Sequence, residues 1–217
     1  MISRAVEDYL KTIYQATREQ ERVSTSQLAR AMNCTAASVT NMLQKLSDLK
    51  LVAYEPYQGV QLTVTGKRVA LEILRHHRLI ELYLAEVLGY SWDKVHEEAD
   101  RLEHVISEEF EEKIDAALGY PTIDPHGDPI PTKDGHVENS SLRSLWETSD
   151  GESVVVCRVS DRDSEVLRYL GTIGVFPHVQ INVVKKAPFN GPIHIKLDRK
   201  EHSLSEELAR QIFVNAV

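Results

Sequence analysis

The chain has 217 residues, with 25 Lys+Arg against 33 Asp+Glu and a formal net charge of −8. At 27% charged and 42% hydrophobic it has the composition of an ordinary globular protein, long enough for one or two domains with their own cores. No apolar run is long enough to span a bilayer and the start, Met1–Asp8, lacks an export signal's apolar core, so a cytoplasmic protein without membrane contact is expected. Two cysteines, Cys34 and Cys157, provide neither a disulfide framework nor a thiolate zinc site.

The charge is unevenly spread. Residues 1–75 carry ten Lys+Arg and seven Asp+Glu, whereas residues 76–118 carry four and twelve. A mildly basic start beside a strongly acidic middle indicates two segments with different partners, so acidity overall does not exclude DNA.

In chain order, Val6, Leu10, Ile13 and Tyr14 recur at helical spacing and predict an amphipathic helix over residues 4–19. Ser24 and its neighbours offer caps for a second helix of about two turns, with Leu28 and Met32 inward. Thr35 can cap a third, whose apolar stripe is Val39, Met42, Leu43 and Leu46. Two β-prone runs follow within Leu51–Leu62, around a turn expected at Gln58-Gly59. This is the pattern of a winged helix-turn-helix. On the third helix, Ala36, Ala37, Ser38, Thr40, Asn41, Gln44 and Lys45 face away from the apolar stripe, and Thr35 completes the set. Small residues admit a helix to the major groove, Asn and Gln can pair with adenine edges, and Ser, Thr and Lys can hold phosphate. An ordinary polar surface is the plain alternative; the hairpin and the local basic charge favour DNA.

A long helix is expected from Thr65 to about Leu88, then two more over 92–107 and 108–118. Residues 121–150, with Pro121, Pro125, Pro129 and Pro131, read as a linker. Beyond it, Ser153–Val159, Val179–Val184 and Ile193–Leu197 read as strands, Val166–Leu170 as a helical turn, and Leu204–Ile212 as a closing helical turn. The expected fold is mainly α at the N-terminus, a winged helix-turn-helix (1–75) plus a helical dimerisation domain (76–120), with a small β-barrel (SH3-like) C-terminal domain (151–217).

Four of the nine histidines lie in the acidic segment. If residues 92–107 form one helix, His96, Asp100, Glu103 and His104 fall within an arc of about 100°. His77 and Glu81 share a face of the preceding helix. Imidazole and carboxylate at such spacings can close on a divalent cation, and with no thiolate among them the set favours Mn2+ or Fe2+ over structural zinc. A salt-bridged helix pair is the alternative on spacing alone.

Taken together, Glu7-Asp8-Tyr9-Leu10-Lys11-Thr12-Ile13-Tyr14, Ser38-Val39-Thr40, Leu62–Gly66, His77–Glu81, His96–His104 and Pro125–Pro131 resemble the diphtheria toxin repressor and manganese transport regulator family in order over residues 5–131. The C-terminal part resembles the SH3-like domain of its longer members. The resemblance implies a homodimeric repressor of metal-uptake genes that binds an operator in double-stranded DNA, activated by Mn2+ or Fe2+ with two ions per subunit. It implies a principal site of Asp8, Asp100, Glu103 and His104. Aspartate at positions 8 and 100, where iron-type members carry Met and Cys, points toward Mn2+. The best-known manganese regulator also uses a Glu at the position of Lys11, where a lysine cannot coordinate. An ancillary site is implied at His77, Glu81 and His96 with Asp161, and the linker's Asp124 and His126 match a second arrangement built on Glu81.

Two other classes are compatible with parts of the sequence. His96-Glu97-Glu98-Ala99-Asp100 superficially resembles a HExxH metalloenzyme helix, but Asp replaces the second His and no nucleophile is nearby, so no enzyme is expected. A winged-helix regulator answering to a small organic ligand is the remaining alternative.

Overall fold

The computed structural model describes residues 2–17, 20–138 and 141–217. The expected end of the first helix, Arg18 and Glu19, lies outside them. The chain forms two compact units. One comprises Met1–His77, Leu102–Glu108 and Pro131–His136; the other comprises Arg78–Arg101, Glu109–Ile130 and Val137–Val217.

The first unit is built as its apolar spacing dictates. Helices α1 (Arg4–Thr17), α2 (Thr25–Ala31) and α3 (Ala36–Asp48) turn Val6, Leu10, Ile13, Leu28, Val39, Leu43 and Leu46 into one core. Ser24 caps α2 through a reciprocal box with Gln27, and Thr35 caps α3 by accepting from the Ser38 amide at 3.2 Å. Strands β1 (Val52–Glu55) and β2 (Gly59–Leu62) pair antiparallel, and Val52 and Val60 add to the core. The turn is centred on Tyr57, in the left-handed region at φ 66°, and not on Gln58-Gly59. Gly59 lies within the β2 register and donates the space that Val23 needs: a Cβ there would sit 2.7 Å from the Val23 carbonyl oxygen.

Helix α4 (Val64–Glu86) supplies residues to both units. The helix expected over 92–107 is much shorter: α5 is Val95–Leu102, and a turn follows. The next, α6, is Glu108–Ala117. Among these, Leu79, Leu82, Ile114 and Ile130 make a small apolar cluster in the second unit.

The larger core of the second unit lies on a six-stranded antiparallel sheet. Its strands are β3 (Arg143–Ser144), β4 (Ser153–Val159), β5 (Gln180–Lys186), β6 (Ile193–Leu197), β7 (Lys200–Leu204) and β8 (Ile212–Ala216), in the order β3-β8-β4-β5-β6-β7. The strand β3 falls inside the stretch read as linker. Among the described residues β3 and β7 are the two ends of the order, so the sheet is open where a barrel was expected. Helix α7 (Ser164–Ile173), capped by Asp163, lays Leu167 and Leu170 on Val154, Val156, Ile181, Ile195 and Val214. The expected helical stretch Leu204–Ile212 is instead the end of β7, one turn of helix α8 (Glu206–Ala209) and the start of β8. Leu204 is held in the sheet by pairing with Ile193, a partner that local sequence does not reveal.

Candidate metal centre

Two groups of side chains carry the chemistry, one in each unit. In the first, Asp8 comes from α1, and Glu103 and His104 come from the turn just after α5. Their ligand atoms lie within 4.8 Å of one another. His104 Nε2 is 2.8 Å from Asp8 Oδ1 and 3.2 Å from Glu103 Oε1. It is buried yet aligned with neither as a hydrogen bond. The other ring nitrogen, Nδ1, is 2.7 Å from Glu7 Oε2. A proton on Nδ1, donated to Glu7, leaves the Nε2 lone pair directed at the two carboxylates, the tautomer a metal ligand needs.

Glu103 is 1% exposed and is held from three sides. Lys11 Nζ donates to Oε1 at 2.7 Å and to Oε2 at 2.8 Å, and His77 Nδ1 is 2.5 Å from Oε2. Burial alone would raise its pKa; the hydrogen bonds and charges of His77 and Lys11 outweigh that and hold the carboxyl below its ordinary value. His76 Nδ1 contacts the Glu103 carbonyl at 3.1 Å and fixes the turn that presents it.

The second group centres on Glu81 of α4. One of its oxygens, Oε1, is 3.1 Å from His96 Nδ1, which is also 3.6 Å from Asp161 Oδ2. The other, Oε2, is 3.8 Å from His126 Nδ1. Asp124 completes this side, and Glu81, Asp124 and His126 are all buried, with ligand atoms within 4.8 Å. Asp124 Oδ1 accepts the backbone amides of His126 (2.8 Å) and Asp128 (2.9 Å), closing a tight turn. Gly127 makes the turn possible: its φ is +87°, and a Cβ would lie 2.0 Å from the Cys157 carbonyl oxygen. His126 Nε2 donates to the Trp92 carbonyl at 2.8 Å, which leaves Nδ1 as the ring atom that faces Glu81.

Asp124 Oδ2 and His126 Nδ1 are buried without a hydrogen bond, although Arg78 Nε, 3.4 Å from Asp124 Oδ2, offsets part of the cost for that oxygen. Burial and the charges of Glu81 and Asp128 push Asp124 up to about 8. For His126, burial pulls down but the neighbouring Glu81 and Asp124 raise it to about 9. Both shifts have the same origin, carboxylates crowded together out of water, and a positive charge among them relieves it. The donors and their orphaned atoms fit a divalent cation of oxygen-and-imidazole preference.

The structure therefore redistributes the expected ligands. Because α5 stops at Leu102, the single helical arc of His96, Asp100, Glu103 and His104 does not form. Asp100 Oδ2 is 3.7 Å from His96 Nε2, while Glu103 and His104 join Asp8. His77, expected in the ancillary group, rests on Glu103. Asp161, Asp124 and His126 all lie around Glu81, the carboxylate common to both expected arrangements. Sequence reasoning missed Glu7 and gave Lys11 no positive role. The spacing of Glu7 and Lys11, four apart on the face of α1 next to Asp8, was the available signal.

The eight residues proposed for DNA, Thr35, Ala36, Ala37, Ser38, Thr40, Asn41, Gln44 and Lys45, are all exposed on the outer face of α3 or at its cap. Gln44 Nε2 donates to Asp48 Oδ1 at 3.1 Å, which orients its amide along the helix.

A winged helix-turn-helix joined to buried clusters of histidine and carboxylate defines a class of DNA-binding proteins that sense metal ions. Residues 1–60 match the N-terminal DNA-binding domain of iron dependent repressors, 63–132 their metal binding and dimerisation domain, and 143–216 the FeoA domain. The chain is 29% identical to the iron-dependent repressor IdeR of Mycobacterium leprae, over 97% of this chain and 96% of the relative. It is 33% identical to the diphtheria toxin repressor of Corynebacterium diphtheriae over 59% of this chain and 57% of the relative. Among solved structures it resembles a manganese-dependent transcriptional repressor in complex with manganese (TM-score 0.91, 39% identity, 98% and 100% coverage). It also resembles the manganese regulator SloR (TM-score 0.81, 31% identity, 98% of each chain). The chain belongs to the family of the diphtheria toxin repressor and the manganese transport regulators.

Proposed function

We propose that this protein is a homodimeric transcriptional repressor activated by a divalent cation, Mn2+ in preference to Fe2+, that controls genes of metal uptake. The observation that carries the reading is the meeting of Asp8 with Glu103 and His104. Asp8 sits on the first helix of the DNA-reading unit, and its two partners lie 95 and 96 positions further on, so the reader is tied to a distant turn through the same atoms that would hold the ion. The family's relatives named above, iron- or manganese-dependent repressors, support the same reading.

Residues fitted to hold the ion are Asp8, Glu103 and His104 in one unit, and Glu81, His96, Asp161, Asp124 and His126 in the other, which gives two ions per chain. Asp100 stands beside His96 as a further candidate. The bound cation supplies positive charge that lets neighbouring carboxylates converge. Glu7 orients His104, Lys11 and His77 hold Glu103 ionised, and Asp8 carries the consequence into α1. The recognition helices of a dimer, held in one spacing, can then meet two half-sites on one face of the duplex. Oxygen and imidazole donors without thiolate favour Mn2+ or Fe2+ over structural zinc, and Asp8 and Asp100, in place of the Met and Cys of iron-type members, tip the reading toward Mn2+. The C-terminal sheet is read as the family's SH3-like domain. No described helix is long and apolar enough to cross a membrane.

The test selects duplexes from a random DNA pool with Mn2+ present, then measures affinity for the selected sequence in Mn2+ and in excess chelator. At least tenfold weaker binding in chelator is expected; equal affinity would sink the proposal.

A further inference from the structure

Lys11 puts a cation inside the Asp8–Glu103–His104 cluster. It is 8% exposed, and its Nζ straddles both oxygens of Glu103, at 2.7 and 2.8 Å. A lysine at the surface would hold this pose weakly; here the carboxylate it grips has no exposed side chain at all. Each Glu103 oxygen also has a second neighbour, His104 Nε2 at 3.2 Å from Oε1 and His77 Nδ1 at 2.5 Å from Oε2. The side of Glu103 that Lys11 covers is thus closed to any other cation, and the side open to one faces Asp8 and His104.

Charge gives the same answer. The carboxylates of Glu7, Asp8 and Glu103 converge here, and the ammonium of Lys11 cancels one of them. Arg4, whose Nε is 3.9 Å from Asp8 Oδ2, is largely exposed and screened by solvent, so one divalent ion balances the two carboxylate charges that Lys11 leaves over. A second would leave two uncompensated positive charges in a largely buried place, which is costly. An ammonium has no lone pair to offer a metal, so Lys11 competes for space and charge without acting as a ligand.

We propose that Lys11 is a resident cation that limits this cluster to a single divalent ion, held by Asp8, Glu103 and His104. The inference rests on the metal-sensor reading and deepens it: the lysine sets the ion count and with it the charge at which the sensor is complete.

The test uses the full chain carrying Glu81→Gln, which removes the carboxylate shared by the other grouping. Mn2+ bound per chain is counted by equilibrium dialysis, and electron paramagnetic resonance reports whether bound ions are exchange-coupled neighbours. With Lys11 intact, one Mn2+ and an uncoupled six-line spectrum are expected. Adding Lys11→Glu, which supplies a ligand and removes the cation, is expected to give two Mn2+ and a coupled spectrum. Should that chain fail to fold by circular dichroism, Lys11→Met takes its place, and the single ion is expected to bind about tenfold tighter or more for the lost positive charge. A coupled pair with Lys11 intact overturns the inference. So does one ion before and after Lys11→Glu, or unchanged affinity in Lys11→Met. No Mn2+ at the cluster in any of these chains would instead refute the metal-sensor reading itself.

Discussion

Glu103 is the residue at which stability and the proposed metal sensing meet. Its carboxylate accepts from Lys11 and stands against His77 and His104. Glu103→Ala would remove the centre of a buried ion pair, for which a cost of about 3 kcal/mol is typical. Urea unfolding at neutral pH should show that loss, and Lys11→Met combined with Glu103→Ala should recover part of it, because the buried ammonium goes as well. In the same chains, Mn2+-dependent DNA binding should disappear. Gly127 is a second residue-scale test. With φ at +87° and the Cys157 carbonyl 2.0 Å from any Cβ, Gly127→Ala must displace the turn that carries Asp124 and His126. We expect Mn2+ bound per chain to fall from two to one, with Asp8, Glu103 and His104 still occupied; dialysis would check it, and an unchanged count would show the turn is not needed.

At the scale of elements, α3 should separate reading from sensing. Gln44→Ala or Asn41→Ala changes an exposed face and none of the carboxylate clusters. DNA affinity should fall by about 1–3 kcal/mol for each lost bidentate base contact, with Mn2+ affinity unchanged by calorimetry. This helix was legible in the sequence because its cap, Thr35, and its stripe, Val39, Leu43 and Leu46, are local signals that agree. The hairpin and the long α4 were legible for the same reason. Where local pattern ran beyond the element, the reading failed. Residues 92–107 keep apolar spacing, yet the helix ends at Leu102, so Glu103 and His104 turn toward α1 through contacts about 95 residues apart in sequence. Nothing in a helical wheel contains that turn. The family resemblance placed Asp8 with Glu103 and His104, whereas the linker pair Asp124 and His126 looked weaker than their complete burial makes them. Strands β7 and β8 were missed because their pairing with β6 and β4 is what stabilises them, and Lys200–Leu204 alone has little β preference.

At the scale of the whole molecule, ion binding should raise resistance to unfolding. At a free Mn2+ concentration one hundred times its dissociation constant, one site adds about 2.7 kcal/mol. A higher unfolding midpoint in Mn2+ than in chelator is therefore expected, and it should shrink in Asp8→Ala. A second global prediction concerns acid. Burial would raise the pKa of Asp93, but hydrogen bonds from Ser91 and Arg168, with the Arg168 charge, hold it below its ordinary value. Such a group stabilises the fold above the carboxylate range of the unfolded chain, and the contribution vanishes as pH falls through its folded value. Because Arg168 is largely exposed, Arg168→Ala should cost only about 0.5 kcal/mol near neutrality. Once the pH has fallen below the folded value of Asp93, that cost should disappear, as thermal unfolding near neutrality and in strong acid would show.

The unit that reads DNA is assembled from three stretches of chain, Met1–His77, Leu102–Glu108 and Pro131–His136. During synthesis, at about 5–20 residues per second, the first stretch emerges seconds before the last. For a time, therefore, Asp8 and Lys11 have been made but Glu103 and His104 have not. On the proposed ligand assignment, newly made protein passes through a stage that cannot yet report on metal, and the later segments complete the sensor.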